Sequence, residues 1–188
     1  MAGCIHRNII NKTTDIMVPL FKAMVRPILE YGNSVWVPYF LKDSKRIEDI
    51  QRQFTKRIYG MANKSYSERL EILNLPSLEF RRLRGDMIEV FKIIHKIYDP
   101  STTNSLLTMH PNTCGTRKKN DLNLKKKGSN GNKYNMFFTN RVNNIWNDLP
   151  NEVVNADNVN DFKNKFDKHF IRNKYLFEMD YYCPNRRK

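Results

Sequence analysis

Lys45, Arg52 and Lys56 are 7 and 4 residues apart, a spacing that aligns side chains along one face of a helix. Arg81, Arg82 and Arg84 crowd a second short stretch. A guanidinium can bond two phosphate oxygens at once, so arginine suits a phosphate backbone better than a point charge does. Further on, Arg117, Lys118, Lys119, Lys125, Lys126 and Lys127 share residues 116–133 with one acid, Asp121. The chain has 33 Lys and Arg against 19 Asp and Glu, a formal net charge of +14. That balance points to a polyanionic partner, nucleic acid before membrane. Tyr31, Trp36 and Tyr39 flank the first group and are candidate platforms for base stacking, with core packing as the alternative use of the same rings.

Signals for bond-making chemistry are missing. There is no Gly-rich phosphate loop and no Gly-x-Ser-x-Gly turn. Adjacent aspartates, which a two-metal polymerase clamp needs, do not occur. Glu48-Asp49 reads as an acidic pair salt-bridged to helix-face Lys and Arg. Cys4, Cys114 and Cys183 are too far apart for a zinc pattern, and His95 and His169 read as packing or surface residues. The expected catalytic, metal and cofactor sets are therefore empty. Free thiols suit a reducing compartment, so an intracellular location, nuclear or cytoplasmic, is expected. No apolar run approaches the ~20 residues that cross a bilayer. The aromatic and basic tail, residues 175–188, is a weaker candidate for a membrane surface.

These side chains need a frame, and its periodicity is helical. Ile16, Leu20, Met24 and Ile28 recur every four residues, giving a helix over 13–31 that Pro27 should kink or end. Ile47, Ile50, Phe54, Ile58 and Met61 predict a helix over 43–61 with an apolar face opposite Lys45, Arg52 and Lys56. Ser65 and Glu68 match a capping box ahead of a short helix to about residue 73. Phe80, Leu83, Met87, Val90, Ile94 and Ile97 predict a helix over 77–98. Arg81, Arg82 and Arg84 fall in its first turns, where cations oppose the helix dipole; an external anion or an acidic neighbour should compensate. Residues 134–147 and 158–173 complete the set, the latter burying Phe162, Phe166 and Phe170. The expected fold class is mainly α, an irregular helical bundle with a long, basic, disordered loop. Its divisions are a helical region over 1–100, a basic low-complexity linker over 101–133, a C-terminal helical region over 134–174 and a tail over 175–188. Ile5, Ile9 and Ile10 follow the first Met almost at once, as in a segment of a longer domain.

The order of these residues resembles one family. Leu20-Phe21-Lys22-Ala23-Met24-Val25-Arg26-Pro27-Ile28-Leu29-Glu30-Tyr31-Gly32 is similar to the segment that follows the palm of LINE-type (non-LTR) retrotransposon reverse transcriptases, best seen in the Jockey and CR1-like groups. Trp36 with Pro38-Tyr39 resembles the next family motif. Ile47-Glu48-Asp49-Ile50-Gln51-Arg52-Gln53-Phe54-Thr55-Lys56 and Tyr66-Ser67-Glu68-Arg69-Leu70 resemble the two after it. Leu75-Pro76-Ser77 through Arg81-Arg82-Leu83-Arg84-Gly85-Asp86, and Arg141-Val142 with Trp146-Asn147-Asp148-Leu149-Pro150, resemble later ones. The likeness spans about residues 5–174. It implies a polymerase-thumb-like helical piece that grips the backbone of RNA, DNA or an RNA–DNA hybrid, with Arg26 joining the cations above. It also implies that Mg2+ and the paired aspartates belong to a palm this chain lacks. A thumb without its palm should expose apolar surface, with residues 5–31 the expected site of self-association or a partner, given Met17, Phe21, Val25 and Ile28. The competing reading is a vestigial or co-opted protein-interaction module with no nucleic-acid role.

Overall fold

The computed structural model describes residues 1–110, 120–126, 134–171 and 174–175; it is mainly helical, and no strand forms among these residues. The first helices are α1 (Ala2–Asn8), α2 (Thr14–Leu20) and α3 (Arg26–Glu30). A π turn, Phe21–Val25, joins α2 to α3, so the path runs through the expected 13–31 segment without breaking at Pro27. Pro27 has no N–H to give to the carbonyl four residues back. The Arg26 N–H reaches the Phe21 carbonyl five residues back, and this one-residue slip absorbs the misfit. Met17, Phe21 and Val25 thereby face inward and are almost fully buried. This corrects their assignment to an exposed docking surface; of that set Ile28 alone is exposed, at 59%.

Helix α4 (Leu41–Lys56) is rotated relative to the expectation. Its innermost stripe is Ser44, Glu48, Gln51 and Thr55, with Phe54 beside it, while Ile50 is 37% exposed. The cause is a polar interlock with α5 (Tyr66–Ile72) and α6 (Leu78–Ile94). The Glu48 carboxylate accepts the Leu78 N–H at 3.0 and 3.2 Å and the Tyr66 hydroxyl, capping the N-terminus of α6. Gln51 donates to the Pro76 carbonyl at 3.0 Å. Buried Arg69 donates to the Arg52 carbonyl at 2.8 Å and to Thr55 Oγ1 at 3.2 Å. The reading of Glu48 as a solvent-face salt-bridge partner is corrected accordingly. Helix α5 begins with the expected capping box: Ser65 N–H donates to Glu68 Oε2 at 2.7 Å and Glu68 N–H to Ser65 Oγ at 3.3 Å.

Two apolar cores result. One joins α1, α2, the π turn and α4 to Leu70, Leu73 and Leu75. The other wraps α6 with α8 (Phe138–Asp148), α9 (Asn151–Val154) and α10 (Val159–His169); the small α7 (Pro100–Thr103) precedes these three in the chain. Phe162, Phe166 and Phe170 line up in this second core as their spacing requires, and Trp146 is fully buried. Residues 120–126 are not a structureless basic loop. Asn120 and Leu124 are buried, and Asn120 Nδ2 donates to the carbonyls of Trp146 and Leu149. Trp146 Nε1 donates to the Leu122 carbonyl at 2.8 Å, and Met109 and Leu124 form an antiparallel bridge. Polar contacts to the α8 terminus, rather than apolar content, hold this clip, so a hydropathy pattern gave no sign of it.

Asp86 on α6 and Arg141 on α8 pair within the second core, with both side chains fully buried. Arg141 Nε and Nη2 grip the Asp86 carboxylate at 2.7 and 2.9 Å. The same guanidinium donates to the carbonyls of Met136, Asn33 and Ser34. Gly85 lets the Asn33 turn come this close: a Cβ there would sit 3.0 Å from Asn33 Nδ2, which itself donates to the Arg82 carbonyl.

Arg141→Ala leaves a buried carboxylate without its counter-ion and should cost about 3–5 kcal/mol in denaturant unfolding; a loss below 1 kcal/mol would mean that water replaces the pair. A second outcome follows from Glu48, whose pKa burial raises above 4.5 against the opposing hydrogen bonds of Tyr66 and Leu78. Below that pH the group is protonated folded or unfolded; above it the unfolded carboxyl ionises first. The stability of the protein relative to Glu48→Gln should therefore decline as pH rises from 4.5 toward neutrality. A rising difference over that range contradicts the assignment.

Candidate nucleic-acid interface

Turning its polar stripe inward leaves α4 with a cationic outer face. Lys42, Lys45, Arg46, Arg52 and Lys56 are all exposed, as is Arg57 at the helix end. The acids on this side are Asp43 and Asp49, both half-exposed, because Glu48 has gone inside. Arg46 lies 3.6 Å from Asp43 and Arg52 3.6 Å from Asp49, each across one turn. Such exposed pairs are worth little and leave most of the positive field intact. The Arg52 guanidinium also rests over the Tyr66 ring at 4.9 Å, which restricts its rotamers. Lys42, Arg46 and Arg57 were missed from sequence. Their signal was available: with Lys45, Arg52 and Lys56 they continue the three- and four-residue steps of one face.

The α6 arginines do not form a phosphate comb. Arg81 pairs with Glu30 through Nε and Nη2, the latter at 2.9 Å. Arg84 grips Asp167 through Nε and Nη2 at 2.7 and 2.9 Å. Arg82 is 3% exposed, and its charge acts on Glu48. Cations in the first turns of a helix are here compensated by acids from other elements, one of the two outcomes that the dipole argument left open. Arg26 is half-buried, 3.8 Å from Glu30, and burial followed by the Arg81 charge lowers its pKa. Arg81 and Arg84 thus tie α3 and α10 to α6, while Arg26 pairs within α3.

Tyr31 is 82% exposed and Trp36 47%, so both rings are accessible. The Trp36 indole lies over Gly32, whose φ of +67° forms the turn, and its Nε1 donates to the Tyr31 carbonyl at 3.1 Å. Tyr39 is half-buried, edge-on to Phe40 with centroids 5.0 Å apart. Lys125 and Lys126 are exposed on the clip, with the Lys125 N–H pinned to the Thr108 carbonyl. Arg117, Lys118, Lys119 and Lys127 lie outside the described residues, as do Cys114, Cys183 and the tail after residue 175. His95 stacks on Phe91 and reaches the Val154 carbonyl, and His169 sits edge-on to Phe170; both residues are exposed and rest on core rings from the surface. Among the described residues no group of three or more His, Cys, Asp or Glu could hold a metal ion. Nor, among them, is any helix long and apolar enough to cross a membrane. No family model, curated protein or solved structure matches the chain.

The ion pairs predict a split between stability and binding. Arg84→Ala should lower unfolding stability by about 1–2 kcal/mol, since a two-pronged, partly screened pair links α6 to α10. Lys56→Gln on the outer face should change it by less than about 0.5 kcal/mol. Equal effects in thermal or urea unfolding would contradict this division of roles.

Proposed function

We propose that this chain is the region following the palm of a non-LTR retrotransposon reverse transcriptase, thumb-like in role, and that it holds RNA, DNA or hybrid backbone non-specifically. The observation that carries the reading is the one-sided charge of α4: Lys45, Arg52 and Lys56 exposed outward, Glu48 and Gln51 locked inward. A rigid row of cations neutralises phosphates and releases counterions without reading bases. The sequence likeness supports the family reading, and the residues that carry it do folding work. Glu48, Arg69, Asp86 and Arg141 make the tertiary bonds described above, and Ser77 Oγ accepts the Phe80 N–H at the start of α6. The run Arg117–Lys119 and Lys125–Lys127 extends the cationic surface in this proposal. The role of Arg81, Arg82 and Arg84 in it is to position α6. No nucleotide-adding step and no Mg2+ is assigned to this chain, and its action is intracellular, in nucleus or cytoplasm.

A second reading, self-association or a protein partner, rests on a different observation. Ile28, Tyr31, Val35 and Trp36 are exposed in one short stretch after the π turn, at 59, 82, 81 and 47%. Size exclusion in high salt separates the two: elution as a clean monomer speaks against it.

Fluorescence anisotropy with duplex DNA, single-stranded RNA and hybrid tests the leading reading. If about six phosphates are neutralised, log K for duplex should fall with log salt at a slope near −5. The triple variant Lys45→Gln, Arg52→Gln, Lys56→Gln should flatten that slope by about 3 on every sequence alike. A flat response in the unaltered protein, or an unchanged slope in the variant, rejects the proposed face.

A further inference from the structure

A groove of about 490 Å³ opens between α1, the π turn with α3, and α4. Val25, Ile28, Leu29 and Phe54 form its apolar walls; Gln53 and Arg57 supply polar groups. His6 lines it too, and this histidine is anomalous. It is 6% exposed, its ring packs on Phe54 with centroids 4.5 Å apart, and neither ring nitrogen has a hydrogen-bond partner among the described residues. A buried imidazole leaves such groups unpaired only at a cost of about 1–3 kcal/mol. If the ring served packing alone, a phenylalanine would fill the same space without that cost. The surroundings set the sign of what His6 faces. Arg57 and Lys12 act on it, and among the described residues no carboxylate lines the groove.

We infer that this groove is a binding site for a small ligand with an apolar body and a single anionic head, carboxylate or phosphate monoester, the body against Phe54 and Ile28 and the head between His6 and Arg57. Size and chemistry agree: ligand pockets run to about 300–1,000 Å³, mostly apolar with a few convergent polar groups. The arginine fork and one imidazole N–H provide donors for two or three anionic oxygens. Burial, with Arg57 and Lys12 adding to it, lowers the His6 pKa, so the groove is lined by a neutral ring able to donate from one nitrogen. Arg57 borders both this groove and the outer face of α4, but Lys45, Arg52 and Lys56 do not line the groove, so nucleic-acid binding through those three and ligand binding here are tested apart.

The test titrates the full 188-residue chain with decanoate, decyl phosphate and, as the uncharged control, decan-1-ol. Calorimetry gives stoichiometry, and the 15N shifts of the His6 ring report occupancy. One saturable site is expected, with the alcohol at least about tenfold weaker than the better anion, the value of one charge-assisted bond. His6→Phe should keep or raise the unfolding temperature while weakening the anions about tenfold, and Arg57→Gln should weaken them similarly. The better of the two anions assigns the head group. Absence of saturable binding, equal binding of the alcohol, or undiminished anion binding by folded His6→Phe would overturn the site.

Discussion

The Asp86–Arg141 pair is the constraint on which the rest of the architecture depends. Three nitrogens of one guanidinium satisfy a buried carboxylate and three carbonyls, drawn from the turn after α3, the entry to α8 and α6. Burying two charges is expensive, and only a fork this fully bonded offsets the desolvation. Against a total stability of about 5–15 kcal/mol for a domain, breaking it removes a large share. Gly85 belongs to the same device, since a Cβ there would press at 3.0 Å on the Asn33 amide that bonds the α6 backbone.

Beside that fastening stands the polar interlock of α4, α5 and α6, and from the interlock comes the charge on the outer face. Glu48 caps α6, Gln51 holds the Pro76 carbonyl and Arg69 holds the end of α4. Each bond turns α4 so that its short polar residues face in. The long cations are left outside, where flexible stems keep their heads hydrated until phosphate replaces water. Local packing and the proposed binding are thus two consequences of one helix rotation.

Much of this was legible in sequence. Helix positions, the Ser65–Glu68 capping box and the Phe162, Phe166, Phe170 stripe all follow from local spacing. The rotation of α4 was not, because periodicity counted Ile47 and Ile50 as core and could not weigh them against hydrogen bonds made to residues 18 to 30 positions away. The same limit explains the α6 arginines. Their number suggested an anion, but the anions proved to be Glu30 and Asp167, 51 and 83 residues distant. Asn120 and Leu124 escaped notice because a clip held by amide side chains has no hydropathy signature. Of the candidate site, Lys45, Arg52 and Lys56 keep the exposed positions their spacing indicated, and Lys42, Arg46 and Arg57 were legible as an extension of the same spacing.

The central claim is that phosphate is held by the outer face of α4 and not by the arginines of α6. Acetylation footprinting of lysines, with and without a nucleic-acid duplex, tests it most directly. The account predicts protection of Lys42, Lys45 and Lys56 on adding duplex, with Lys92 and Lys165, each paired to an acid on its own helix, unchanged. Unaltered modification of the α4 lysines at saturating duplex would contradict it.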